Sequence, residues 1–148
     1  ERRQGASRLV RDLNALYRAT PALHRLDHRP EGFAWIVAND STNAVFAFSR
    51  ASRPGAAEVL VVANMTPVPR HDYRIGVAHA GLWRERLNSD AEVYGGSSLG
   101  NGGAVATQAV AAHGSAQSLS LTLPPLGLLV LEHDASAAPP ALPPPGEA

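Results

Sequence analysis

Cysteine is missing from this chain, so a disulfide framework, a thiolate metal site and a cysteine nucleophile are all excluded. Lysine is missing too. All 13 basic side chains are Arg, which alongside abundant Ala reads as coding bias. Thirteen acidic side chains balance them to a formal net charge of zero. That balance argues against a protein that binds by neutralising phosphates, and no nucleic acid partner is expected. No apolar run approaches the ~20 residues that span a bilayer, and the Arg-rich opening holds no signal core. No membrane partner is therefore expected, and the location expected is cytoplasmic. The 148 residues suffice for one domain with a real core but not for a barrel enzyme. The chain opens on Glu1 rather than Met and enters helical periodicity almost at once, as expected of a piece of a longer protein.

What is present divides by period. From about Arg3 to Arg18, Ala6, Leu9, Val10, Leu13, Leu16 and Tyr17 recur at three- and four-residue steps, the stripe of an amphipathic helix. Such a stripe needs a partner surface. Thr20 is placed to cap and Pro21 to begin a short second helical segment.

After Gly32 the period falls to two. Phe33–Ala38 and Val45–Ser49 read as a hairpin around the turn at Asn39–Asn43. Glu58–Asn64, with Val59–Val62 at its centre, reads as a strand buried on both faces. Further strands are expected at His71–Val77, Leu82–Leu87, Val105–Val110, Ser118–Leu123 and Leu126–Glu132. In the Ser118–Leu123 strand, Leu119, Leu121 and Leu123 point inward. A long glycine-rich loop runs from Asn88 to about Gly103. One helix followed by seven or eight short strands predicts a mainly β protein, an antiparallel β-sandwich. From Ala135 onward the Ala/Pro-rich chain reads as a disordered tail.

Three stretches carry a family resemblance. They are SRLVRDLNALYRATPALHRLD (Ser7 to Asp27), VLVVANMTPVPRHDYRIGV (Val59 to Val77), and the run from WRERLNSD (Trp83) through YGGSSLGNGG to HGSAQSLSLTLPPLGLLVLE (Glu132). Together they resemble the end of bacterial glycogen branching enzymes, over roughly Gly5 to Glu132. The resemblance implies a parent enzyme made of a carbohydrate-binding β-sandwich, a (β/α)8 barrel and a C-terminal β-sandwich. Such an enzyme cleaves an α-1,4-glucan bond, holds the donor as a glycosyl-aspartate and transfers it to a 6-hydroxyl, by the retaining use of two carboxylates. Its catalytic motifs follow barrel strands and are not found in this sequence, so the segment alone is expected to be inactive. By the same resemblance, residues 1–31 are the last helical segment of the barrel, 32–134 the C-terminal all-β domain and 135–148 the tail. The barrel of the same enzyme is the implied partner, and α-glucan (glycogen) a second one. Two alternatives stand beside this reading: a freestanding carbohydrate-binding module, and the C-terminal domain of another α-amylase family enzyme.

Candidate chemistry is sparse. Asp12, Asp27, Glu31, Asp40, Glu58, Asp72, Glu85, Asp90, Glu92, Glu132 and Asp134 are scattered, and read as solvated surface acids rather than a catalytic pair. His71-Asp72 and His133-Asp134 lack the close His spacing of metal sites, and no Gly-x-Ser-x-Gly elbow occurs. No metal or cofactor is expected, and no catalytic residue is assigned. The glycine-rich loop lacks a Gly-Lys-Ser/Thr ending and has Val105 where a dinucleotide fingerprint needs Gly. Aromatic rings stack on sugar faces, and the residues singled out for glucan contact are Tyr94, beside the loop, and Trp83. Trp35, like Trp83, reads more readily as a core anchor or as an interface anchor against the implied barrel.

Overall fold

The computed structural model describes residues 2–137. It opens with α1 (Arg2–Ala19), followed by two 3-10 turns at Pro21–Leu23 and Pro30–Gly32. Thr20 is buried but makes no side-chain cap; Pro21 opens the first of these turns. Eight strands follow: β1 (Phe33–Asp40), β2 (Val45–Ala51), β3 (Glu58–Asn64), β4 (Arg70–Val77), β5 (Leu82–Asn88), β6 (Ala104–Ala106), β7 (Gln117–Leu123) and β8 (Gly127–His133). A third 3-10 turn, Glu92–Tyr94, lies in the long loop after β5.

The strands form two antiparallel sheets of unequal size. The larger has the order β1-β2-β3-β8-β5-β6, and the smaller pairs β4 with β7. Alternation explains how they meet. Ala47, Leu60, Val62, Leu129, Leu131 and Trp83 from the large sheet pack against Ile75, Val77, Leu119, Leu121 and Leu123 from the small one. The leucines of β7 therefore face inward, as their spacing requires.

β3 is buried on both faces because each face has its own cover. Leu60 and Val62 enter the inter-sheet core, whereas Val59 and Val61 join Leu87 and Val130 on the outer face, under Leu9 and Leu16 of α1 and Ala22 and Leu23 of the turn. The helical stripe thus finds part of its partner within this chain. Val10 (57% exposed), Leu13 and Tyr17 remain open to solvent.

Two expectations change. The strand expected over Val105–Val110 stops at Ala106, where Thr107 turns back onto Gly81 through its amide and hydroxyl. The chain then forms two isolated bridges, Gln108 to Ser118 and Ala112 to Ser115, and crosses the small sheet so closely that a Cβ on Gly76 would collide with the Ala112 carbonyl. Ser118, outward by alternation, is buried beneath this segment and donates to the Val110 carbonyl at 2.6 Å. Of the expected tail, residues 135–137 form a turn on Asp134, and 138–148 lie outside the described residues. No described helix is long and apolar enough to cross a membrane.

Candidate functional surface

Trp83 sits on β5 facing the core and is fully buried (0% exposed). Its indole N–H donates to the His79 carbonyl at 3.1 Å, and its ring packs on His133, which stacks on His79 with centroids 5.0 Å apart. A ring enclosed on both faces cannot stack on sugar, so the glucan contact expected at Trp83 is withdrawn.

Tyr94 is half-buried and already committed. The turn Glu92–Tyr94 ends on Gly95 at φ 91, a left-handed position that suits glycine. This places the Tyr94 hydroxyl 2.8 Å from the Asp12 carboxylate on α1. Burial and the Asp12 charge raise the phenol pKa, while the hydrogen bonds from Tyr94 and Arg11 lower that of Asp12. Gly5 of α1 lies against the Tyr94 backbone with no room for a Cβ, and Arg8 donates to the Val93 carbonyl. Tyr94 is a latch between loop and helix.

The exposed aromatic surface lies elsewhere. Trp35 is 58% exposed and, with Phe33 and Phe48, forms a three-ring cluster with centroids 5.1–5.9 Å apart. Of the two anchoring roles expected of Trp35, that of a core anchor is therefore excluded. A bulge is the reason: Trp35 pairs with Phe48 and Val37 with Ala47, so Ile36 is the extra residue and the facing changes there. Phe33 and Trp35 face outward and Val37 inward. The Phe46-x-Phe48 spacing on β2, out of phase with core residues Val45 and Ala47, is the sequence signal that points to this face.

Seven acids turn out to be structural ties rather than merely solvated. Asp27 pairs with Arg50 and accepts from Tyr17. Asp40 accepts from Tyr73 at 2.6 Å and from the Asn43 amide and side chain. Asp90 gathers Ser97 and the Leu99 amide; burial pushes its carboxyl up, but these hydrogen bonds bring it below its ordinary value. Glu85 holds Asn101, whose side chain also pairs with the backbone of Thr122. Asp12 holds Tyr94, Asp134 pairs with Arg84, and Glu132 with Arg86. The glycine-rich loop is thereby a stitched scaffold, with Gly96 pressed against the Asp90 carbonyl. His71-Asp72 and His133-Asp134 stand on different sheets, and no group of three or more His, Asp or Glu among the described residues could hold a metal ion.

Comparison with known proteins decides the family. The family described as alpha amylase, C-terminal all-beta domain, matches residues 35–134. The chain belongs to that family. It is also 61% identical over 132 residues to a 1,4-alpha-glucan branching enzyme of Cupriavidus necator. A branching enzyme of Cupriavidus pinatubonensis is 57% identical over 136 residues, and one of Xanthomonas euvesicatoria 58% over 130. These matches cover 88–91% of the chain but only 18% of each relative's length. The mainly β, antiparallel architecture is that of an alpha amylase C-terminal domain, preceded here by one helix.

Proposed function

We propose that this chain is the non-catalytic C-terminal portion of a cytoplasmic 1,4-α-glucan branching enzyme, and that it stabilises the catalytic barrel of the same polypeptide. In this reading, residues 1–31 are the barrel's last helical segment and 32–134 the all-β domain. The whole enzyme cleaves α-1,4-glucan and builds α-1,6 branches in glycogen synthesis. The observation that carries the reading is the 57–61% identity to branching enzymes along nearly the whole chain, confined to 18% of their length. The arrangement of the acids agrees with it, since the seven described above serve as ties within the fold.

The test compares a full-length enzyme carrying this segment with the same enzyme ending at Arg29, alongside the 148-residue chain by itself. The shortened enzyme is expected to melt earlier and lose branching activity in an iodine-staining assay, and the 148-residue chain to show no turnover. Branching by the chain alone, or full stability and rate in the shortened enzyme, would overturn the proposal.

A further inference from the structure

An open cleft of about 510 Å³ lies at the end of the large sheet, where the β2–β3 turn meets the end of β8. Thr20 and Arg25 of the helical segment, Ser52 and Arg53 of the turn, and Glu132 of β8 form its wall. Both arginines stand on fixed backbone. Arg25 follows the turn that Pro21 opens, its amide donating to the Pro21 carbonyl at 2.8 Å. Arg53 begins a tight turn with Pro54 second and Gly55 third at φ 73, closed by the Ala56 amide on the Arg53 carbonyl at 3.2 Å. Proline followed by a left-handed glycine is the pattern of a type II turn, and here it sets Arg53 in the wall of the cleft.

The cations of this wall are uncompensated. Ion pairs among the described residues use Arg11, Arg50, Arg84 and Arg86, and include neither Arg25 nor Arg53. Glu132 is the one acid lining the cleft, and it already faces Arg86 at 3.6 Å. Thr20 is 4% exposed, yet its side chain caps nothing. Buried hydroxyls are normally hydrogen-bonded, so this one is left for an occupant of the cleft.

The chemistry narrows that occupant. Two unpaired guanidinium groups from different elements call for an anion. A phosphate group has three acceptor oxygens, enough for both guanidinium forks and a hydroxyl, whereas one fork fills a carboxylate. The volume falls in the range of about 300–1,000 Å³ typical of small-molecule sites, with room beside the phosphate for the rest of a ligand. Ser52 and Glu132 offer hydrogen bonds to hydroxyl groups there. No Trp, Tyr or Phe lines the cleft, so a neutral glucan finds no ring to stack on. Two charges are also too few for a polyanion held by neutralising many phosphates.

Going beyond the branching activity, we propose that this cleft binds a small phosphorylated polyol of the sugar phosphate class, its phosphate held by Arg25 and Arg53 and its hydroxyls by Ser52 and Glu132.

The test titrates a full-length enzyme carrying this segment with glucose 6-phosphate, inorganic phosphate and glucose, followed by calorimetry. Glucose 6-phosphate is expected to bind more tightly than inorganic phosphate. Arg25→Gln and Arg53→Gln should each weaken both by about tenfold or more, the usual weight of a charge-assisted hydrogen bond. Glucose should give no response that either substitution alters. Modification of the unsubstituted enzyme by phenylglyoxal, mapped by mass spectrometry, covers the case of a variant that fails to fold. Glucose 6-phosphate should protect Arg25 and Arg53 and leave Arg74, on the small sheet, as reactive as before. Absence of binding, binding that neither substitution weakens, or equal protection of Arg74, the mark of an adventitious ion only, would overturn the proposal. Inorganic phosphate binding as tightly as glucose 6-phosphate would also overturn it, since the hydroxyl contacts would then contribute nothing. None of these outcomes bears on the branching reading, which the truncation experiment tests.

Discussion

Gly5 stands in a helix, where alanine is the better former by about 1 kcal/mol, yet here the preference should reverse. A Cβ at position 5 would overlap the Tyr94 carbonyl, a backbone atom held by the turn that Gly95 closes. Relieving that overlap means lifting α1 from the loop and stretching the Tyr94–Asp12 hydrogen bond. Gly5→Ala is therefore expected to destabilise the chain by about 1–3 kcal/mol, the usual range for overpacking, measured by urea unfolding. A neutral or stabilising result would mean that the helix does not rest on this loop. Nothing local in the sequence marks the position, because the contact joins residues far apart in the chain. The same distance hid Tyr94: its ring reads as exposed beside a glycine loop, and its partner Asp12 lies 82 residues away.

At the scale of elements, α1 has two apolar sides with different fates. Leu9 and Leu16 lie a whole heptad apart and rest on the outer cluster of the large sheet, whereas Val10 faces solvent. In the 148-residue chain, Leu9→Ala and Leu16→Ala should each cost about 1–3 kcal/mol, since each removes partly buried methyl groups. Val10→Ala should change stability by about 0.5 kcal/mol or less. Thermal melts of the three variants check this, and equal losses at all three would mean that the helix is not seated as described. Periodicity made the helix legible, along with the six strands that form most of the core, because burial on one face leaves a repeat of 3.6 or 2 in the residues themselves. It could not divide the helical stripe between sheet and solvent. Nor could it show the bulge at Ile36, where one extra residue reverses the facing of Trp35 without altering the composition of the strand. The end of β6 escaped for a related reason: Val105 and Val110 invite one strand, but Thr107 is claimed by Gly81.

At the scale of the whole molecule, the ties between elements are carboxylates, so pH acts on the assembly at once. Asp12 joins α1 to the long loop, Asp27 joins the helical segment to β2, Asp40 joins the β1–β2 turn to β4 of the other sheet, and Asp134 joins the end of β8 to β5. Hydrogen bonds and Arg partners hold all four carboxyls below their ordinary values. A depressed folded-state pKa contributes stability that is present above the unfolded value, near pH 4, and lost as pH falls through the folded one. Tyr73 and Tyr94, each half-buried against a carboxylate, are shifted upward. Their contribution is complete below about pH 10 and lost as pH rises through the raised folded value. A melting temperature nearly flat between about pH 5 and 9, falling on both sides, is the expected profile. The Asp40–Tyr73 bond links the two limbs, because one substitution at either end should alter both. Tyr73→Phe removes the phenol whose ionisation shapes the alkaline limb and the hydrogen bond that lowers Asp40, so the acid limb should become shallower as well. Asp40→Asn removes the carboxyl that titrates in acid, and with it the charge that helps raise Tyr73, so the alkaline limb should move toward lower pH. Melting temperatures measured across pH for the parent and both variants test the coupling. Acid and alkaline limbs that respond independently would show that the turn and the small sheet are not held together by this pair.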